Sequence, residues 1–133
     1  MKNDEILTYH IKKGTYVDGF VLVVPKKKLP AYRRMASSGG KMWKKYGALD
    51  YKECVAEDLF PNMGTYKILR FSEMTKLKKG ETVVFSYILF KSRAHRDQVN
   101  AKVMKAMEKE MKNHKDMSMP FDMKRMAYGG FKV

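Results

Sequence analysis

Residues 82–90 read TVVFSYILF, nine positions almost all β-branched, aromatic or aliphatic, set between Lys79-Gly80 and Lys91-Ser92. A short apolar run flanked by turn residues predicts a β-strand. Alternation sends Val83, Phe85, Tyr87 and Leu89 to one side and Val84, Ser86, Ile88 and Phe90 to the other. Both sides are apolar enough to be buried, which a strand at a sheet edge does not need. The stretch is therefore a central strand whose two faces are covered by different things.

A second strand of the same kind, YVDGFVLVV, spans 16–24. Asp18 shares a face with Tyr16, Phe20, Leu22 and Val24, and a buried carboxylate is costly without a partner. Pro25 ends the strand, and a helix follows over about 28–46, with Leu29, Tyr32, Ala36, Trp43 and Tyr46 as its inner stripe. Gly39-Gly40 in mid-helix predicts a bend or a close packing partner, and Gly47 suits the C-terminal cap. Residues 48–57 alternate as a more polar strand nearer an edge, with Tyr51, Glu53 and Val55 on one side. Pro61, Asn62 and Gly64 make 58–69 a loop, and 71–78 a short strand or helical turn. Ser92 is an N-cap for a helix over 93–112. Its inner stripe is His95, Val99, Val103, Ala106 and Met107, widened by Met104 and Met111, with the methionines read as adaptable core. After a loop over 113–122, residues 124–131 form the last strand, where Gly129-Gly130 predicts a bulge or close backbone approach.

The order strand, helix, strand, strand, helix, strand is that of ferredoxin-like α+β domains with a four-stranded antiparallel sheet. Two helices cover one face of such a sheet. The other face, apolar here, predicts a homodimer packed sheet to sheet about a twofold axis, closing a dimeric α/β barrel. Residues 1–15 read as a weakly ordered arm with at most a short strand at 6–11, and 16–133 as one domain.

At 133 residues the chain suffices for one domain with a real core. It has no run of ~18 apolar residues to cross a membrane. The opening MKNDEILTYH is too polar for a secretory signal, and the single Cys54 fits a reducing compartment, so a cytoplasmic location is expected. The net charge is +14, from 28 basic and 14 acidic residues. Residues 25–47 hold Lys26, Lys27, Lys28, Arg33, Arg34, Lys41, Lys44 and Lys45 and no acid, a face that would attract a polyanion. No nucleic-acid-binding signature accompanies them, so a solvated lysine-rich helix face is favoured over nucleic-acid binding.

Five blocks carry a resemblance: YVDGFV at 16–21, PKKKLPAYRRMA at 25–36, WKKYGALDYKECVAED at 43–58, ETVVFSYILFKSRAHRDQVNAKVM at 81–104 and MPFDMKRMAYGGF at 119–131. Together they resemble the YbaA-like family, bacterial domains of unknown function. The resemblance implies the dimeric α/β-barrel superfamily, which holds small monooxygenases, haem-degrading enzymes, isomerases and ligand sensors. It constrains fold more than activity.

No phosphate loop, metal-binding Cys/His pair or His-Glu-x-x-His motif is present, and no metal or cofactor is expected. The catalytic candidates are Asp18, with Arg93 or Arg125 as partner, and His95, for which a packed structural role is favoured. His10 and His114 are weaker candidates. Trp43, Tyr51, Tyr87, Arg125 and Tyr128 are the candidate ligand contacts, walling a pocket between helices and sheet. Two functions follow. One is binding of a small apolar or aromatic ligand in that pocket, with cofactor-independent monooxygenase-like chemistry suggested by the resemblance. The other is nucleic-acid or polyanion binding through residues 25–47. The residues do not choose between binding and catalysis.

Overall fold

The computed structural model describes residues 11–113 and 119–133. His10, His114 and most of the proposed arm lie outside them. Four strands, β1 (Tyr16–Pro25), β2 (Asp50–Val55), β3 (Glu81–Phe90) and β4 (Ala127–Lys132), form one antiparallel sheet in the order β2-β3-β1-β4. The fold is α+β. The helices are α1 (Leu29–Lys45), α2 (Phe71–Met74) and α3 (Arg93–Asn113), with single 3-10 turns at Lys26–Lys28 and Met123–Arg125.

The two most apolar strands lie side by side at the centre, in register from Tyr16↔Phe90 to Pro25↔Glu81. Even-numbered residues of β1 and β3 face the helices. Leu22, Val24 and Val84 pack with Tyr32 and Ala36 of α1, while Ile88 and Phe90 pack with Val99 and Val103 of α3. Both long helices thus cover the same face. On the opposite face Val23 and Val83 are buried, but Phe85 and Phe131 are 46% and 63% exposed.

Local chemistry sets the boundaries. Ser92 caps α3 by accepting from the backbone N–H of His95. Gly47 ends α1 at φ 119°, a left-handed value that a side chain disfavours. Asp122 accepts from the Lys124 backbone N–H, and the turn it caps delays β4 to Ala127, three residues past the sequence expectation. No bulge interrupts β4; its double glycine instead lets the Tyr16 ring lie against Gly130. Gly14 and Thr15, just before β1, are tied to Val133: Gly14 N–H donates to the Val133 carbonyl and Val133 N–H to that of Thr15.

One expectation about apolar residues fails. Met104 and Met111 do not widen the inner stripe of α3. They are 58% and 70% exposed, because Met104 follows the buried Val103 by a ~100° rotation. The loop between β2 and β3 also carries exposed Phe60, Met63, Tyr66, Ile68, Leu69, Phe71 and Met74. Turn residues predicted the loop but not that its apolar side chains would stay uncovered.

Candidate functional site

A groove of about 340 Å³ lies between α1 and the edge strand β2. Two sequence features bring these elements together. The inner stripe of α1 runs through Tyr32, Ala36 and Gly40, all buried. Strand alternation turns Tyr51, Glu53 and Val55 toward it. Gly40 permits the close approach: a Cβ there would stand 3.0 Å from the Tyr51 ring. The mid-helix glycine thus marks tight packing, the second of the two options its position suggested.

Glu53 forms the floor. Its Oε2 accepts from Tyr32 Oη at 2.7 Å and its Oε1 from Tyr51 Oη at 2.5 Å. Burial pushes the Glu53 carboxyl above its ordinary range, and the two phenols offset only part of that shift. Burial, then the bond to Glu53, drives both tyrosines far above the usual phenol range, so they act as fixed donors. Ala36, Gly40 and Val55 line the walls, and Arg33, Ser37, Lys41 and Lys44 the mouth. Lys44 reaches Asp50 at 3.9 Å, whereas Arg33 and Lys41 make no ion pair among the described residues. A carboxylate at the bottom and unpaired cations at the top can hold a polar molecule end to end.

The other sequence candidates fall elsewhere. Asp18 is 0% exposed. It is fully partnered: Arg96 Nη1 at 2.9 Å, Tyr128 Oη at 3.0 Å and Asn100 Nδ2 at 3.4 Å. Its ion-pair partner is Arg96, not Arg93 or Arg125. Trp43 joins through its Nε1, which donates to Asn100 Oδ1 at 3.0 Å. Burial, then Asp18, raises the Tyr128 phenol. Arg125 pairs with Glu81 at 2.6 Å and donates to the carbonyls of Thr75 and Lys76, pinning the turn before β3. Tyr87 lies on the face away from the helices, donating to Asp50 at 3.4 Å. His95 Nδ1 accepts from the Lys91 backbone N–H at 3.0 Å, and burial, then Lys91 and Lys102, lowers its pKa. Of the candidate ligand contacts, only Tyr51 lines the groove; Arg33, Lys41 and Lys44 of the basic set do too. Among the described residues no cluster of His, Cys, Asp and Glu could hold a metal.

Residues 15–123 match the family described as "Protein of unknown function (DUF1428)". The chain belongs to this family. It is 44% identical over 116 residues to the "Uncharacterized protein YbaA" of Escherichia coli K12, covering 87% of this chain and 93% of that one. The same figures hold for the proteins of that name from Escherichia coli O157:H7 and Shigella flexneri. The DUF1428 match takes in every residue of the groove, along with Asp18 and Arg96, and stops before β4 and Tyr128. Among the described residues of this DUF1428 chain, no helix is long and apolar enough to cross a membrane.

Sequence reasoning missed Glu53, Arg96 and Asn100. The signal for Glu53 was an acid on the apolar side of an alternating strand, the same signal that singled out Asp18.

Proposed function

We propose that the chain is a cytoplasmic ligand-binding protein that holds a small, largely aromatic molecule in the α1–β2 groove and works as a homodimer. The groove carries this reading. At about 340 Å³ it lies at the small end of ligand sites, which run ~300–1,000 Å³. It combines apolar walls with a few convergent polar groups. Glu53 is its one carboxyl, and both oxygens are already engaged by phenols, an arrangement that favours holding a ligand over turning one over. The strand order β2-β3-β1-β4 with both long helices on one face supports the ferredoxin-like arrangement. Exposed Phe85 and Phe131 on the bare face support pairing into a dimeric α/β barrel. The free Cys54 suits a reducing cytoplasm.

A thermal-shift screen of one- and two-ring aromatic compounds tests the groove. A ligand at a hundred times its Kd stabilises the fold by about 2.7 kcal/mol. Ser37 is exposed at the groove mouth, so Ser37→Trp should block entry while changing stability by only about 0.5 kcal/mol. Hits are expected to vanish in this variant. Equal shifts in Ser37→Trp would place binding elsewhere.

The basic stripe supports a second function. All eight Lys and Arg residues of 25–47 are exposed. On an ideal helix Arg33, Arg34, Lys41, Lys44 and Lys45 fall within an arc of about 120°. Five phosphate contacts from these residues predict that log K against log salt falls with a slope of about −4.5. A flat salt response with a mixed-sequence duplex would remove polyanion binding.

A further inference from the structure

We propose that the groove selects a small aromatic acid whose far end carries a hydroxyl, the anion held at the mouth by Arg33 and Lys41 and the hydroxyl donating to Glu53. The inference rests on reading the groove as a ligand site and specifies what it takes. Four observations converge. A carboxylate has about four lone-pair sites. Tyr32 and Tyr51 fill two of those on Glu53, so the floor has acceptor capacity left for a donor from the ligand. A second carboxylate or a carbonyl would meet that floor badly. The walls are the Tyr32 and Tyr51 rings with Ala36 and Val55, flat and apolar, which suits a planar ring. At the mouth Arg33 and Lys41 lack acidic partners among the described residues, and Lys44 keeps only a 3.9 Å contact with Asp50. The local charge there is net positive, and the chain's +14 adds to the pull on an anion.

The groove is therefore polar at two ends with opposite demands. A neutral phenol satisfies the floor alone, and a plain aromatic acid satisfies the mouth alone. Only a molecule with both ends uses the whole length. Binding energy from each end adds to the same affinity when one rigid ring spans them, because no further freedom is lost on making the second contact.

The test is calorimetric titration of the full chain at low salt and pH 7 with four probes: 4-hydroxybenzoate, benzoate, phenol and 4-methoxybenzoate. The expected result is 4-hydroxybenzoate at least tenfold tighter than each of the others. Methylation of the hydroxyl removes the donor while keeping size, so 4-methoxybenzoate should fall with benzoate. In Glu53→Gln the preference for 4-hydroxybenzoate over benzoate should shrink to less than threefold. In the double variant Arg33→Gln, Lys41→Gln the preference over phenol should shrink likewise. Phenol binding as tightly as 4-hydroxybenzoate, or benzoate doing so, overturns the ligand class and leaves the groove as a site for simpler aromatics. This comparison uses the unaltered protein and does not depend on any variant folding. If none of the four probes binds, the ligand class falls and the groove reading rests on the wider thermal-shift screen; if binding persists in Ser37→Trp, both fall.

Discussion

Asp18→Ala is expected to cost about 3–5 kcal/mol of folding stability, roughly 10–20 °C in melting temperature for a chain of this size. Asp18 is 0% exposed, and the Arg96 side chain that meets it is 14% exposed. The pair is thus nearly dry, and removing one member strands the other charge. More is lost than one ion pair. Tyr128 Oη and Asn100 Nδ2 both donate to Asp18, and the Arg96 guanidinium sits 5.0 Å over the Tyr16 ring. The carboxylate therefore joins β1, β4 and α3 at one point. The Arg96 link to Asp97 survives the substitution, but Asp97 is 60% exposed, where an ion pair adds little. Asp18→Asn keeps the size and one acceptor oxygen, and should cost about half as much. The double variant Asp18→Ala, Arg96→Met should recover much of the loss, because removing both charges leaves nothing unpaired. Denaturant unfolding of the three variants checks this. A loss below about 1 kcal/mol in Asp18→Ala, the scale of an exposed pair, or no recovery in the double variant, would mean that the charge at Asp18 is not what holds the three elements together.

That Asp18 needed a partner was legible from its place in an apolar strand. Which partner it found was legible too, and was missed. On α3, Arg96 precedes Val99, Asn100 and Val103 by three, four and seven residues, the spacing of one helix face. Arg93 starts the helix and is exposed, and Arg125 is committed to Glu81 at the other end of β3. Strand alternation and helical spacing together were enough to choose. The groove was harder to foresee. Glu53 reaches Tyr32 across 21 residues, and nothing in either segment alone says that α1, packed on Leu22, Val24 and Val84 of the central strands, also borders the edge strand β2. Gly40 held the clue, since a helix tolerates a mid-helix glycine at ~1 kcal/mol where something must come close. The exposed run from Phe60 to Met74 had no sequence signal at all. Local composition sets a turn, whereas cover depends on what the rest of the chain, or another chain, brings to it.

Phe85→Asp is expected to turn a dimer into a monomer in light scattering at micromolar concentration. The strand pattern that organises the fold leaves this face unresolved: Val17, Val21, Phe85, Leu89 and Phe131 point away from both long helices. Phe85 stands near the middle of that face, between Val21 and Cys54 in register. In a single copy it is already 46% exposed, so an aspartate costs the isolated fold only about 1 kcal/mol. In a twofold interface the same change enters twice and brings two desolvated carboxylates toward each other. At ~2 kcal/mol or more for each buried aromatic anchor lost, the pair of substitutions weakens association by about a thousandfold. Tyr66→Asp provides the contrast. It is an equally drastic change at a 78% exposed position off the sheet, and it should leave a dimer built on sheet packing intact. If Tyr66→Asp dissociates the protein and Phe85→Asp does not, the partner sits on the 60–74 loop instead. If the unaltered chain is a stable monomer, water covers Phe85 and Phe131 directly. The barrel proposal then fails, while the α1–β2 groove, built wholly within one copy, is untouched.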